Sequence, residues 1–155
     1  SASGAVFLGL DVGSTTIKAT VINENDEIIY TLDTHFDDYL TTAEGKSLPV
    51  PHCIKGTVGH KLYGGLADAL KGKLCFEKNT FPSLEMAKYL EGKDFDTIEL
   101  CGLVSNICVL SNAVMAKSAC PNSEIIVDSS LTAAADEEMH QKSLDVMKGL
   151  FIKVL

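Results

Sequence analysis

Residues 97–119, TIELCGLVSNICVLSNAVMAKSA, decide how the rest of the chain is read. Thr97 to Leu103 have the apolar content of a strand, and a helix follows from about Asn106 to Ala119. A strand that feeds a helix within about three residues is the repeating unit of an α/β layer fold. Cys108 then falls in the first turn of that helix. Unpaired backbone N–H groups and the positive end of the helix dipole favour a thiolate there. The same N–H groups suit the oxyanion of a tetrahedral intermediate. Cys101, inside the strand, reads as a buried structural thiol, as do Cys53, Cys75 and Cys120, which lack a helix N-terminus.

Working outward, apolar runs continue to alternate with helix-like segments. Glu124 to Val127 is a strand, Thr132 to Lys148 a long helix ended before Gly149, and Phe151 to Val154 a last strand. Upstream, Ser83 is placed to N-cap a helix through Leu90, Leu74 to Phe76 is a short buried strand, and Val58 to Leu70 suits a helix. Residues between His35 and Val58 carry Gly45, Pro49 and Pro51 without periodicity, as expected of a long ordered loop. Before it come three short strands at Val6–Leu10, Thr16–Ile22 and Ile28–Leu32. Their short connections predict antiparallel hairpins, whereas the alternation after residue 55 predicts parallel pairing.

Bulk composition narrows the function. The chain has 155 residues, 46% of them hydrophobic, which suits one domain over 1–155 with a single core. Its net charge of −8 argues against a nucleic-acid partner, because phosphate binding needs clustered Lys and Arg. No apolar run reaches the roughly 18 residues that a membrane span requires. No basic n-region opens the chain, so no signal peptide is expected. Five cysteines without CxxC spacing fit reduced thiols in a cytoplasmic protein.

Three stretches together carry a resemblance: LDTHFDDYLTTAEGKSLPVPHCIKGTVGHKL (32–62), FEKNTFPS (76–83) and GLVSNICVLSNAVMAKSACPNSEIIVDSSLTAAADEEMHQKSLDVMKG (102–149). In that order they are similar to nicotinamidases and isochorismatase-like hydrolases, and the likeness runs from about Ile28 to Leu155. It implies a three-layer α/β domain with a mostly parallel sheet. It also implies a nucleophilic cysteine at Cys108, a lysine partner at Lys78, and an oxyanion hole from the N–H groups of Val104 and Cys108 behind a cis Leu103–Val104 bond. A divalent metal is implied beside the nucleophile, held by Asp33, His35, Glu44 and His52. Two imidazoles and two carboxylates suit zinc first, with manganese and iron as alternatives. The expected substrate is nicotinamide or another aromatic carboxamide. His60 and His140 match no position of this pattern and read as surface residues.

The opening departs from that family. Residues 5–30 instead resemble the N-terminal hairpin of actin and sugar-kinase-type activator ATPases, where DVGSTT (11–16) holds ATP phosphates. The chain thus reads as a join of two families near Ile28 to Thr31, which natural recombination and engineering both produce. One phosphate loop without its counterparts makes a sheet filler rather than an ATPase. Asp11 ends an apolar strand, as the family's catalytic Asp does, and is the expected third member of the triad. Loss of the family's first helix exposes apolar sheet surface, which predicts a homo-oligomer. The alternative to a hydrolase is a catalytically incomplete scaffold that keeps the fold without turnover. A nucleotide-binding module through Gly13 to Thr16 is a weaker third.

Overall fold

The computed structural model describes the backbone of residues 5–10 and all of residues 27–155. Six strands form one sheet in the order β3-β2-β1-β4-β5-β6. They are β1 (Ala5–Leu10), β2 (Glu27–Asp33), β3 (Leu74–Lys78), β4 (Thr97–Leu103), β5 (Glu124–Ala133) and β6 (Lys153–Val154). The helices are α1 (Ala43–Ser47), α2 (Leu66–Ala69), α3 (Leu84–Leu90), α4 (Leu110–Ala119) and α5 (Glu137–Gly149). Every neighbouring pair of these strands is parallel.

That result corrects the expected N-terminal hairpin. β1 and β2 pair directly and in parallel, with Ala5 opposite Glu27 and Leu10 opposite Leu32. Residues 11–26 connect them, and a stretch of that length meets the dozen or so residues that a parallel crossover needs. The expected strand Thr16–Ile22 lies outside the described residues, as does the phosphate-loop candidate Gly13–Thr16.

One face of the sheet is the main core. Ile98 and Leu100 of β4 and Ile125 and Val127 of β5 pack with Met86 and Leu90 of α3, Ala113 and Ala116 of α4, and Leu144 and Met147 of α5. The two-residue period of the strands sends Cys101 to the other face, where Leu66 and Leu70, in and just after α2, cover it.

Three element boundaries differ from expectation. The segment 58–70 is broken into a 3-10 turn (Val58–His60) and the short α2. Gly64 between them sits at φ +57°, outside the right-handed helical region. β5 continues past Val127 because Thr132 and Ala133 pair with Gly102 and Leu103. α5 therefore starts later, capped by Asp136, whose carboxylate accepts from the Met139 N–H at 2.8 Å. The segment 34–57 is ordered, as expected, but contains α1, which Thr42 caps by accepting from the Gly45 N–H. Among the described residues no helix is long and apolar enough to cross a membrane.

Candidate functional site

Parallel strands bring their C-terminal ends to one edge. β2 ends at Asp33 and β3 at Lys78, directly opposite in register, and β4 ends at Leu103 just before Cys108. All three side chains are buried, Asp33 at 4%, Lys78 at 6% and Cys108 at 3% exposure. A buried ammonium needs partners, because an isolated charge is expensive away from water. The Lys78 Nζ lies 3.4 Å from Asp33 Oδ1 and 3.6 Å from Cys108 Sγ, to which it donates. The backbone locks this arrangement, since the Lys78 carbonyl accepts from the Thr34 N–H at 2.7 Å.

Cys108 belongs to a wide π-helical turn, Ser105–Val109, that runs into α4. The Leu103–Val104 bond before the turn is cis, as expected. The Val104 carbonyl accepts from the Ile107 and Val109 N–H groups, so Val104 and Cys108 bracket one turn. Cys101 contrasts with Cys108. Burial first, then Glu99 and Asp128, push its thiol up to about 12. At pH 8 about one Cys101 in ten thousand is ionised. Iodoacetamide at that pH should therefore label Cys108 in the native protein and leave Cys101 unlabelled, as read by peptide mass spectrometry.

Beside this pair, Asp33, His35 and His52 each turn a ligand atom toward a common point, all within 4.8 Å of one another. His35 Nε2 is 3.4 Å from both Asp33 Oδ1 and Glu44 Oε1. His52 Nε2 is 3.5 Å from Asp33 Oδ2 and 3.8 Å from Glu44 Oε1. These spacings exceed the roughly 2.7–2.9 Å of a charge-assisted hydrogen bond. They fit donor atoms arranged around a cation at about 2.0–2.2 Å. His52 Nδ1 lies 2.8 Å from the Val50 carbonyl, which can only accept, so Nδ1 donates to it and, in the neutral ring, Nε2 offers a lone pair. His35 Nε2 and Glu44 Oε2 are buried with no hydrogen-bond partner among the described residues. Ring nitrogens and carboxylate oxygens gathered at these spacings fit the N and O donors of a divalent cation. Asp33 faces both this group and Lys78, and so couples the two halves of the site.

Several supporting residues were not anticipated. Tyr39 is 1% exposed and packs edge-on against both His35 and His52, at 4.6 and 5.0 Å between ring centroids. Its hydroxyl donates to the Leu48 carbonyl. Burial first, then Glu44 and Asp33, raise its pKa. The sequence signal was an aromatic in a polar loop, four residues after His35. His60 and His140 are not simple surface residues. His60 Nε2 pairs with Thr34 Oγ1 at 2.9 Å, and His140 Nδ1 with Ser105 Oγ at 2.8 Å. Each ties a distant segment to the site. Asp11 lies outside the described residues; β1, which it follows, runs between β2 and β4.

Glu44 depends on Gly45. A Cβ at Gly45 would lie 2.0 Å from the Tyr39 carbonyl oxygen, a backbone atom that cannot swing aside. Gly45→Ala should displace α1, cost about 1–3 kcal/mol, and reduce the rise in melting temperature produced by zinc, both measurable by thermal unfolding with and without the ion.

Two cavities open here, of about 510 and 300 Å³. Thr34, Lys78 and Ser83 line the larger; His35, Tyr39 and Glu44 line the smaller; Phe36, Asn79 and Thr80 are common to both. Volumes of this order accommodate a small organic ligand.

A parallel α/β sheet with a cysteine, a lysine and a candidate metal-binding group at the C-terminal ends of its strands defines the class of molecule, and comparison gives the family. The isochorismatase domain model matches residues 16–155. The chain belongs to the isochorismatase family. The match begins at residue 16, inside the stretch 5–30 for which an ATPase hairpin was expected, and no comparison supports that second resemblance. Among solved structures, the pyrazinamidase/nicotinamidase of Streptococcus mutans is 28% identical, with 84% of this chain and 76% of that one covered and a TM-score of 0.73. A nicotinamidase of Bacillus subtilis is 26% identical, over 83% and 74% of the two chains, with a TM-score of 0.71. The pyrazinamidase of Pyrococcus horikoshii in complex with zinc shares the fold over 99% and 98% of the two chains, at 16% identity and a TM-score of 0.73. No curated protein matches the chain.

Proposed function

We propose that this protein hydrolyses a small aromatic carboxamide, nicotinamide or a near relative, to the acid and ammonia. The carrying observation is the Lys78 ammonium, buried between the Asp33 carboxylate and the Cys108 sulfur at 3.4 and 3.6 Å. A fixed cation stabilises a thiolate and orients a polar substrate beside it. The Streptococcus mutans and Bacillus subtilis relatives, named as nicotinamidases, support the amide as substrate.

Cys108 attacks the carbonyl carbon and a C–S bond forms. The N–H groups of Val104 and Cys108 receive the negative charge that develops on the carbonyl oxygen. Asp11 takes the thiol proton and passes it to the departing nitrogen as the C–N bond breaks, releasing ammonia. Water then attacks the thioester, and the acid leaves with the Cys108 thiol restored. Phe36, half exposed on the wall common to both cavities, offers a face for the substrate ring. Asp33, His35, Glu44 and His52 would hold a divalent cation, which supplies Lewis acidity beside the substrate.

The test is to incubate the purified protein with nicotinamide, with zinc or manganese present, and to measure ammonia. Steady release is the expected result. Absence of release, with metal binding intact, would favour the incomplete scaffold instead.

A further inference from the structure

We propose that Asn112 is a positioning residue that holds the Lys78 segment against the nucleophile turn and so sets the contact between Lys78 and Cys108. It rests on the assignment of Cys108 and Lys78 as the working pair. Asn112 lies in α4, one turn beyond Cys108, and is 1% exposed. Its Nδ2 donates to the Cys108 carbonyl at 2.9 Å and to the Phe81 carbonyl at 3.2 Å. Its Oδ1 accepts from the Ser83 N–H at 2.9 Å. Both carbonyls can only accept and the N–H can only donate, so the orientation of the amide is fixed by its partners.

These bonds join two segments distant in sequence. Phe81 and Ser83 follow Lys78 by three and five residues, in the stretch that links β3 to α3. Upstream, the Thr34 N–H bonds the Lys78 carbonyl. Lys78 is thus held at the sheet on one side and, through Phe81 and Ser83, at the nucleophile helix on the other. Asn is a poor helix former, and an apolar side chain would fill a buried helix position with fewer demands. A carboxamide alone among neutral side chains of this size supplies two donors and an acceptor in one plane. It answers the two carbonyls and one N–H that these segments turn toward each other.

The experiment is the rate at which iodoacetamide alkylates Cys108 at pH 7, resolved by peptide mass spectrometry. It uses the wild type, Lys78→Met, Asn112→Ala and the double variant. Withdrawing an ammonium from a thiolate lowers the thiolate fraction, and the greater nucleophilicity of a more basic thiolate offsets part of that loss, leaving roughly a threefold slowing. Lys78→Met and Asn112→Ala should each slow alkylation by about that factor. The double variant should be no slower than Lys78→Met, because Asn112 acts through Lys78. An unchanged rate in Asn112→Ala, or losses that multiply in the double variant, would overturn the proposal. Circular dichroism checks folding; if Asn112→Ala does not fold, Asn112→Ser takes its place, and failure of both assigns Asn112 to stability alone. A null effect of Lys78→Met would instead sink the Cys108–Lys78 pair, and the ammonia assay tests the amidase activity separately.

Discussion

Replacing Cys108 by alanine is expected to lower ammonia release from nicotinamide by at least about 10⁴-fold while leaving the fold and the Asp33–His35–His52 group in place. The magnitude is that of losing a covalent nucleophile whose partners cannot act without it. Neither Cys101 nor Cys120 can stand in. Cys101 lies on the opposite face of the sheet under α2, with its thiol pushed up to about 12 by burial. Cys120 is buried on α4's far end, where its Sγ donates to the Leu90 carbonyl at 3.3 Å. Alanine removes little volume, and Val109 and Ala113 keep the helix seated in the core. Circular dichroism and zinc-dependent melting should therefore match the wild type. Equal ammonia release from Cys108→Ala would rule out the thioacyl mechanism outright.

Replacing Lys78 by methionine is expected to have two large effects. Activity should fall by about 10²–10⁴-fold, the range for losing a positioned acid–base or charge-stabilising group. Stability should fall as well, and by an amount that depends on metal. Asp33 is 4% exposed and, without Lys78, loses its ammonium partner. Breaking a buried pair from one side costs about 3–5 kcal/mol. A cation held by Asp33, His35 and His52 supplies positive charge to the same carboxylate. Urea unfolding in chelator should thus show a loss of about 3 kcal/mol, and unfolding in zinc a smaller one. An identical loss in both conditions would break the link between the metal group and the Lys78–Cys108 pair that Asp33 is argued to make.

Local chemistry made much of this site legible before the fold was known. A strand running into a helix at Leu103 places Cys108 on a helix-opening turn whatever surrounds it. Asp33 and His35 were legible only through the family resemblance, and their spacing of two at a strand end agrees with it because side chains alternate with period two. Ser83 is an N-cap by its own hydroxyl, and the structure has it accepting from the Met86 N–H. These are short-range properties, set within one turn or one strand. Boundaries failed where a distant partner overruled local preference. Local preference makes Thr132 a helix start, yet it belongs to β5 because Gly102 of β4 offers it a ladder position.

The sequence by itself determined the strand–helix alternation, the family pattern and the residue types at the site. Only the tertiary structure decided that β1 and β2 lie parallel, because register between strands depends on pairing across the sheet and not on either strand alone. It also decided which polar residues serve the site. Asn112, Tyr39, His60 and His140 look ordinary along the chain. Their roles arise from partners 26 to 35 residues away in three of the four cases, and no local pattern records a hydrogen bond that closes only when the chain folds.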